Sequence, residues 1–160
     1  MAPGTQAPHG AYAGLMGTFA AGLAGAVVLG RALGRDPEEH DALDLLVLCA
    51  ATFKAARTIS GDEVASFIRQ PFVAGEAHEG GEEPLETGDL RQAIGELVTC
   101  SRCIGTWAAG GLTVTQMLAP RFGRVLTWSL AAAGANDYLQ AGFAALTNKS
   151  NELERRAEPS

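Results

Sequence analysis

From Ala11 to Gly30 the chain runs for about twenty residues without a charged side chain, and Arg31 and Arg35 stand just beyond. At about 1.5 Å per residue, a helix of that length just crosses a hydrocarbon core of roughly 30 Å. No other feature narrows the possible folds as much, because in lipid the backbone polar groups must be satisfied within the segment, as a helix does. A cleaved signal peptide is the rival reading, but Met1 to Gly10 has no Lys or Arg to form a basic leading region. The expectation is a retained membrane helix. Small residues recur four apart, as in Gly10 and Gly14 or Ala21 and Gly25. Such spacing lines one helical face with residues that let a second helix approach closely. In a chain this rich in Ala and Gly, coincidence is the alternative.

Three more apolar stretches follow. Ala42 to Ile59 has Asp44 near its start and Lys54 and Arg57 near its end. Its uninterrupted core, Leu45 to Phe53, is too short to span unless the charged side chains snorkel or pair. Ile104 to Ala119 is closed by Pro120, and Val125 to about Leu146 is interrupted by Asn136 and Asp137. Only 19% of the chain is charged, against roughly 25% in soluble domains. These features lead to an all-α fold of multi-pass transmembrane helices, about four apolar segments, with two short interfacial amphipathic helices.

The first interfacial helix would begin at Ser60-Gly-Asp-Glu63, a capping-box pattern, continue through Val64, Phe67 and Ile68 and end at Pro71. Residues 73–89 are acidic and Gly-rich, carrying Glu76, Glu79, Glu82, Glu83 and Glu86 with His78 among them. Such a stretch buries too little apolar area to offset its ordering entropy, so it reads as a solvated loop. Asp89 would cap the second interfacial helix, whose apolar positions Leu90, Ala93, Ile94, Leu97 and Val98 fall on one face. Three parts result: a tail with the first apolar segment (1–41), a membrane domain (42–146) and a polar, loose tail (147–160). Four crossings place both termini and the loop 60–103 on one side. That side carries Arg57, Arg69, Arg91, Arg102, Lys149, Arg155, Arg156 and, marginally, Lys54, against Arg31, Arg35, Arg121 and Arg124 opposite. The excess favours the loop side as cytoplasmic.

Cys100-Ser-Arg-Cys103 is the sharpest chemical feature. Two thiols three apart suit a reversible disulfide or joint binding of zinc or iron, and a helix starting just after them favours the thiolate. A structural zinc site normally takes four ligands, and no second Cys pair is present. His40, His78, Cys49 or a second subunit would have to complete it; otherwise the thiols simply pack at a helix junction. A second candidate is the intramembrane polar set. Lys54 and Arg57 share a helix face, and a charge in hydrocarbon needs a partner, here Asp137 with one of the two. The structural alternative is a pair that holds helices together. Trp107 and Trp128 fall near segment ends, where the ring prefers the interface, and read as anchors. Phosphate-cradling loops, nucleophile elbows and His-Glu-x-x-His pairs are absent from the sequence. The net charge of -6, with no basic stripe, argues against nucleic acid as a partner.

Ala51 to Ile59, Asp62 to Phe72 and above all Gly95-Glu-Leu-Val-Thr-Cys-Ser-Arg-Cys-Ile-Gly-Thr-Trp107 resemble the bacterial membrane-protein family catalogued as domain of unknown function 1360, which includes a sporulation-associated member. The resemblance covers roughly residues 42–146. It implies a multi-pass protein of the bacterial cell membrane and directs attention to Arg57, Asp62, Arg69, Pro71, Cys100, Cys103, Gly105, Trp107 and Asp137. Lys54 stands where the family pattern suggests Arg, which keeps the charge but not the bidentate geometry. No activity is implied. Three functions are therefore weighed: a non-enzymatic component embedded in lipid that assembles with itself or another membrane protein, a thiol or metal protein, and a transporter of an ion or small solute.

Overall fold

The computed structural model describes residues 7–35, 41–75 and 81–157, and their architecture is mostly helical. Helix α1 (His9–Ala32) is followed by α2 (Ala42–Gly61), which starts on a capping box. There the Asp41 carboxylate accepts from the Asp44 N–H at 2.8 Å and the Asp44 carboxylate accepts from the Asp41 N–H. The box expected at Ser60 does not form. Because α2 runs on to Gly61, Ser60 is still helical, and Asp62 takes over as an extended joint without a side-chain cap. The first interfacial helix is likewise broken up. Glu63–Ala65 and Gln70–Phe72 are single 3₁₀ turns on either side of α3 (Ser66–Arg69), and Pro71 lies inside the second turn.

The acidic stretch is not wholly a solvated loop. Val73–Ala74 (β1) pairs antiparallel with Glu83–Pro84 (β2), placing Val73 opposite Pro84 and Ala74 opposite Glu83. Gly75 makes the narrowing possible: its φ of 91° suits glycine, and a Cβ there would lie 2.5 Å from the Gly81 carbonyl oxygen. Helix α4 (Leu90–Thr99) starts at Asp89, whose carboxylate accepts from the Arg91 N–H at 2.8 Å, as its position suggested. The buried face of α4 is rotated from the apolar stripe. Gln92, Ala93, Gly95 and Val98 are buried, whereas Leu90 is exposed, because α4 docks against the Phe72–Pro84 backbone through its smallest residue.

Cys100 alone separates α4 from α5 (Ser101–Leu118), and Ala119 turns the chain into α6 (Pro120–Ala157). Asn136 and Asp137 do not interrupt α6, and the tail expected to be loose continues as helix to Ala157. At 38 residues, α6 is about 57 Å long.

The core lies where α2, α5 and α6 meet. Ala51, Leu112 and Ala131 are buried there, with Val47, Leu48, Leu126 and Leu130 packed around them. Ala51 is fully buried, and Gly134 would set a Cβ 3.1 Å from the Ala50 carbonyl oxygen, so the α2–α6 contact depends on small side chains. Helix α1 contributes little: only Ala26 and Gly30 are buried, and Gly10, Gly14, Gly17, Gly22 and Gly25 face open space. Among the described residues α1 is also the one helix long and apolar enough to be a candidate membrane span. Helices α2, α5 and α6 do not qualify, so the fold itself does not establish several crossings.

Candidate functional site

The chemistry-bearing residues fall into three neighbouring places. The first is the α4–α5 joint. Cys100 sits at the N-terminal cap of α5 in extended conformation, and its Sγ accepts from the Cys103 N–H at 3.3 Å. The Cys103 thiol also hydrogen-bonds Cys100, which pulls the Cys100 thiol below its ordinary value; the backbone N–H groups and the Arg102 charge act in the same direction. The same hydrogen bond, with burial, pushes Cys103 up. The first proton therefore leaves the pair easily and the second with difficulty, which is the behaviour of two groups sharing one site. Cys100 is half-buried and Cys103 exposed, and no disulfide joins them.

Beside the thiols lies a polar chain that the sequence reading passed over. Tyr12 of α1 donates its hydroxyl hydrogen to Glu96 Oε2. Gln92 donates to Glu96 Oε1 at 2.8 Å, and Gln92 in turn accepts from the Gly88 N–H at 2.9 Å. Gln92 and Glu96 are four apart on α4, a spacing that could have signalled the pairing. Among the described residues no group of three His, Cys, Asp or Glu side chains gathers to hold a metal. The pair thus offers two of the four ligands a structural zinc site uses. His40 and His78 lie outside the described residues.

The second place is the α2–α6 contact. Lys54 donates to Asp137 Oδ2 at 2.9 Å and stands 3.6 Å from Asp62 Oδ2, while Thr58 donates to Asp62 at 2.8 Å. Phe53 stacks on Tyr138 one residue away on each helix, with ring centroids 5.3 Å apart. Arg57 does not join this pair. It lines instead a groove of about 790 Å³ between α2 and α5, together with Arg102. Trp107 packs against Phe19 of α1 at 5.1 Å, whereas Trp128 is largely exposed on α6.

The third place is Arg69, reached in the sequence only through the family resemblance. It is fully buried. Nη1 donates to the Ile59 carbonyl at 2.7 Å and the Asp62 carbonyl at 3.0 Å, and Nε donates to Glu82 at 2.6 Å. One guanidinium thereby caps the C-terminal end of α2 and ties the acidic stretch to it. Gly95 allows this assembly to close on α4, since a Cβ there would meet the Phe72 carbonyl oxygen at 2.5 Å.

These features define a helical-bundle protein with a buried arginine clamp and a two-thiol joint between helices. The chain belongs to the family described as Protein of unknown function (DUF1360), whose profile matches residues 47–143. It is 32% identical over 103 residues to the sporulation protein YjcA of Bacillus subtilis (strain 168), an alignment taking in 58% of this chain and 83% of that relative. No solved structure matches the chain.

Proposed function

We propose that this protein is a small integral component of the bacterial cell membrane that acts by assembling with itself or with another membrane protein. The observation that carries the reading is the apolar surface left uncovered by the chain's own packing. The glycine face of α1 is open, and beyond Tyr138 α6 leaves Leu139, Phe143 and Leu146 each 73% exposed. Exposed apolar area on that scale needs lipid or a partner to cover it. Leu139, Phe143, Leu146 and Leu153 share one side of the helix at alternating four- and three-residue steps, with Ser150 in the gap. That seam suits a neighbouring helix. With α2, α5 and α6 embedded alongside α1, the residues 60–103 with their basic side chains face the cytoplasm.

Membrane fractionation with a carbonate wash, followed by sizing in neutral detergent, tests the proposal. The chain stays with the membrane and elutes larger than one copy, and Leu139→Glu with Leu146→Glu reduces it to a single copy without loss of helix signal. A wild-type chain that washes into the soluble fraction, or that elutes as one copy without companions, defeats it.

A second reading is a thiol component. It is favoured by Cys100 at a helix start, held toward thiolate by its Cys103 partner. A redox-dependent mobility shift, abolished in Cys100→Ser with Cys103→Ser, supports it. A shift that persists in that variant removes it.

A further inference from the structure

The groove between α2 and α5 has a polarity gradient that neither the bundle core nor the thiol joint requires. Its α2 wall is one helical stripe, starting at Leu45 and Leu48, passing Cys49 and Thr52, and ending at Arg57 and Ser60. Its α5 wall begins at Ser101 and Arg102 and continues through Gly105 to Ala109. Gly105 is the point of closest approach, where a Cβ would lie 3.7 Å from Ala56 Cβ. The C-terminal end of α2 therefore meets the N-terminal end of α5, and both arginines and both serine hydroxyls collect at the same end. The opposite end is built from Leu45, Leu48 and Ala109. Neither the Arg57 nor the Arg102 guanidinium has an ion pair or hydrogen bond among the described residues, although acidic side chains are the more numerous in this chain. Thr52 Oγ1, midway along, is buried without a hydrogen-bond partner. A volume of about 790 Å³ is within the range of clefts that hold small amphiphiles.

We propose that this groove binds an acidic membrane lipid, with the phosphodiester headgroup between Arg57 and Arg102 and one acyl chain along Leu45, Leu48 and Ala109. Charge complementarity selects this occupant. Two guanidiniums without a partner among the described residues, at the mouth of an apolar slot, match one phosphate carrying a hydrocarbon tail. The proposal rests on the membrane reading above.

The experiment uses the full chain purified in neutral detergent and exposed to equal amounts of phosphatidylglycerol and phosphatidylcholine with identical acyl chains. Lipid retained after washing is measured by mass spectrometry. Retention of phosphatidylglycerol exceeds that of phosphatidylcholine about tenfold, given two basic side chains acting on one phosphate. Arg57→Gln with Arg102→Gln abolishes the preference, Arg57→Lys with Arg102→Lys keeps it, and the control Arg121→Gln with Arg124→Gln leaves it intact. Circular dichroism confirms that each variant retains its helices. Equal retention of the two lipids by the wild type overturns the proposal, as does a preference that survives the Gln pair or falls equally in the control. Displacement of the lipid by glycerol phosphate alone overturns the assignment of a lipid occupant. A membrane-bound chain without headgroup preference sinks this inference alone, whereas a chain recovered in the soluble fraction sinks the membrane reading with it.

Discussion

Arg69 and Lys54 are cations in a chain poor in charge, yet they are housed in opposite ways. Arg69 is 0% exposed and its partner Glu82 is 10% exposed. Lys54 and Asp137 are 21% and 47% exposed, and Asp62 waits as a second acceptor. Arg69 therefore has a single possible arrangement, built from two backbone carbonyls and one carboxylate, while Lys54 can trade one partner for another. Arg69 Nη2 and Glu82 Oε1 are buried without partners among the described residues, so the clamp carries a desolvation cost. The loop side of the molecule is therefore held by geometry, whereas the α2–α6 pair is held by an adjustable attraction.

The largest expected effect follows from breaking the clamp. Arg69→Leu strands Glu82 and two carbonyl oxygens and should cost about 3–5 kcal/mol in chemical unfolding followed by circular dichroism. Replacing both partners, as Arg69→Met with Glu82→Leu, should recover the share due to the stranded Glu82 carboxylate and leave the cost of the Ile59 and Asp62 carbonyls. A single variant that costs less than about 1 kcal/mol would mean that Arg69 is not the fastener described here.

Next in size is the glycine that lets the clamp dock on α4. Gly95→Ala drives a methyl into the Phe72 carbonyl and should cost about 1–3 kcal/mol, whereas Gly25→Ala on the open face of α1 should be neutral or raise helix stability. Thermal melts of the two variants side by side distinguish them. Equal losses would contradict the packing difference between α1 and the clamp.

Smaller still is the adjustable pair. Asp137→Asn leaves Lys54 with Asp62, and in detergent the loss should stay within about 1 kcal/mol for a partly exposed pair. A loss of several kcal/mol would erase the contrast with Arg69 and indicate that this pair is as dry as the clamp.

The smallest effect concerns the thiol joint between the two regions. Because Cys100 lies below the ordinary thiol value, its thiolate appears at lower pH than that of Cys103. Alkylation in a Cys49→Ser background should label Cys100 first, with mass mapping of the modified site, and Cys103→Ala should move the Cys100 profile toward higher pH. The stabilisation from a depressed acid is present above its unfolded-state value and is lost as pH falls through the folded-state value. Acidification should therefore remove the contribution of Cys100, whereas alkalinity should remove that of Cys103, whose raised value reverses the sign. Prior labelling of Cys103 would reverse the assignment.

Much of this architecture was legible in the residues. The start of α4 was marked by Asp89 and the end of α5 by Pro120, because caps and prolines act through their immediate neighbours, whereas the helix expected to open after Cys103 opens at Ser101, with Cys100 as its cap. The pairing of a cation in the second segment with Asp137 was also anticipated, since charges in apolar stretches require partners, but the choice of Lys54 over Arg57 was not. That choice depends on the rotation of α2 against α6, set by Ala51 and Gly134. The Ser60 capping box failed for a related reason: Arg69 donates to the carbonyls of Ile59 and Asp62, so the chain turns around a guanidinium rather than around a hydroxyl.

Local order, then, was settled along the chain itself: helices, their caps and the apolar run of α1 follow from side chains acting within one or two turns. The tertiary structure decided what those side chains meet. Arg69 became a buried clamp, Arg57 and Arg102 came to share a groove, and Glu96 was joined to Tyr12 across 84 positions of sequence. Each of these depends on distances between helices, which no periodicity along a single helix contains.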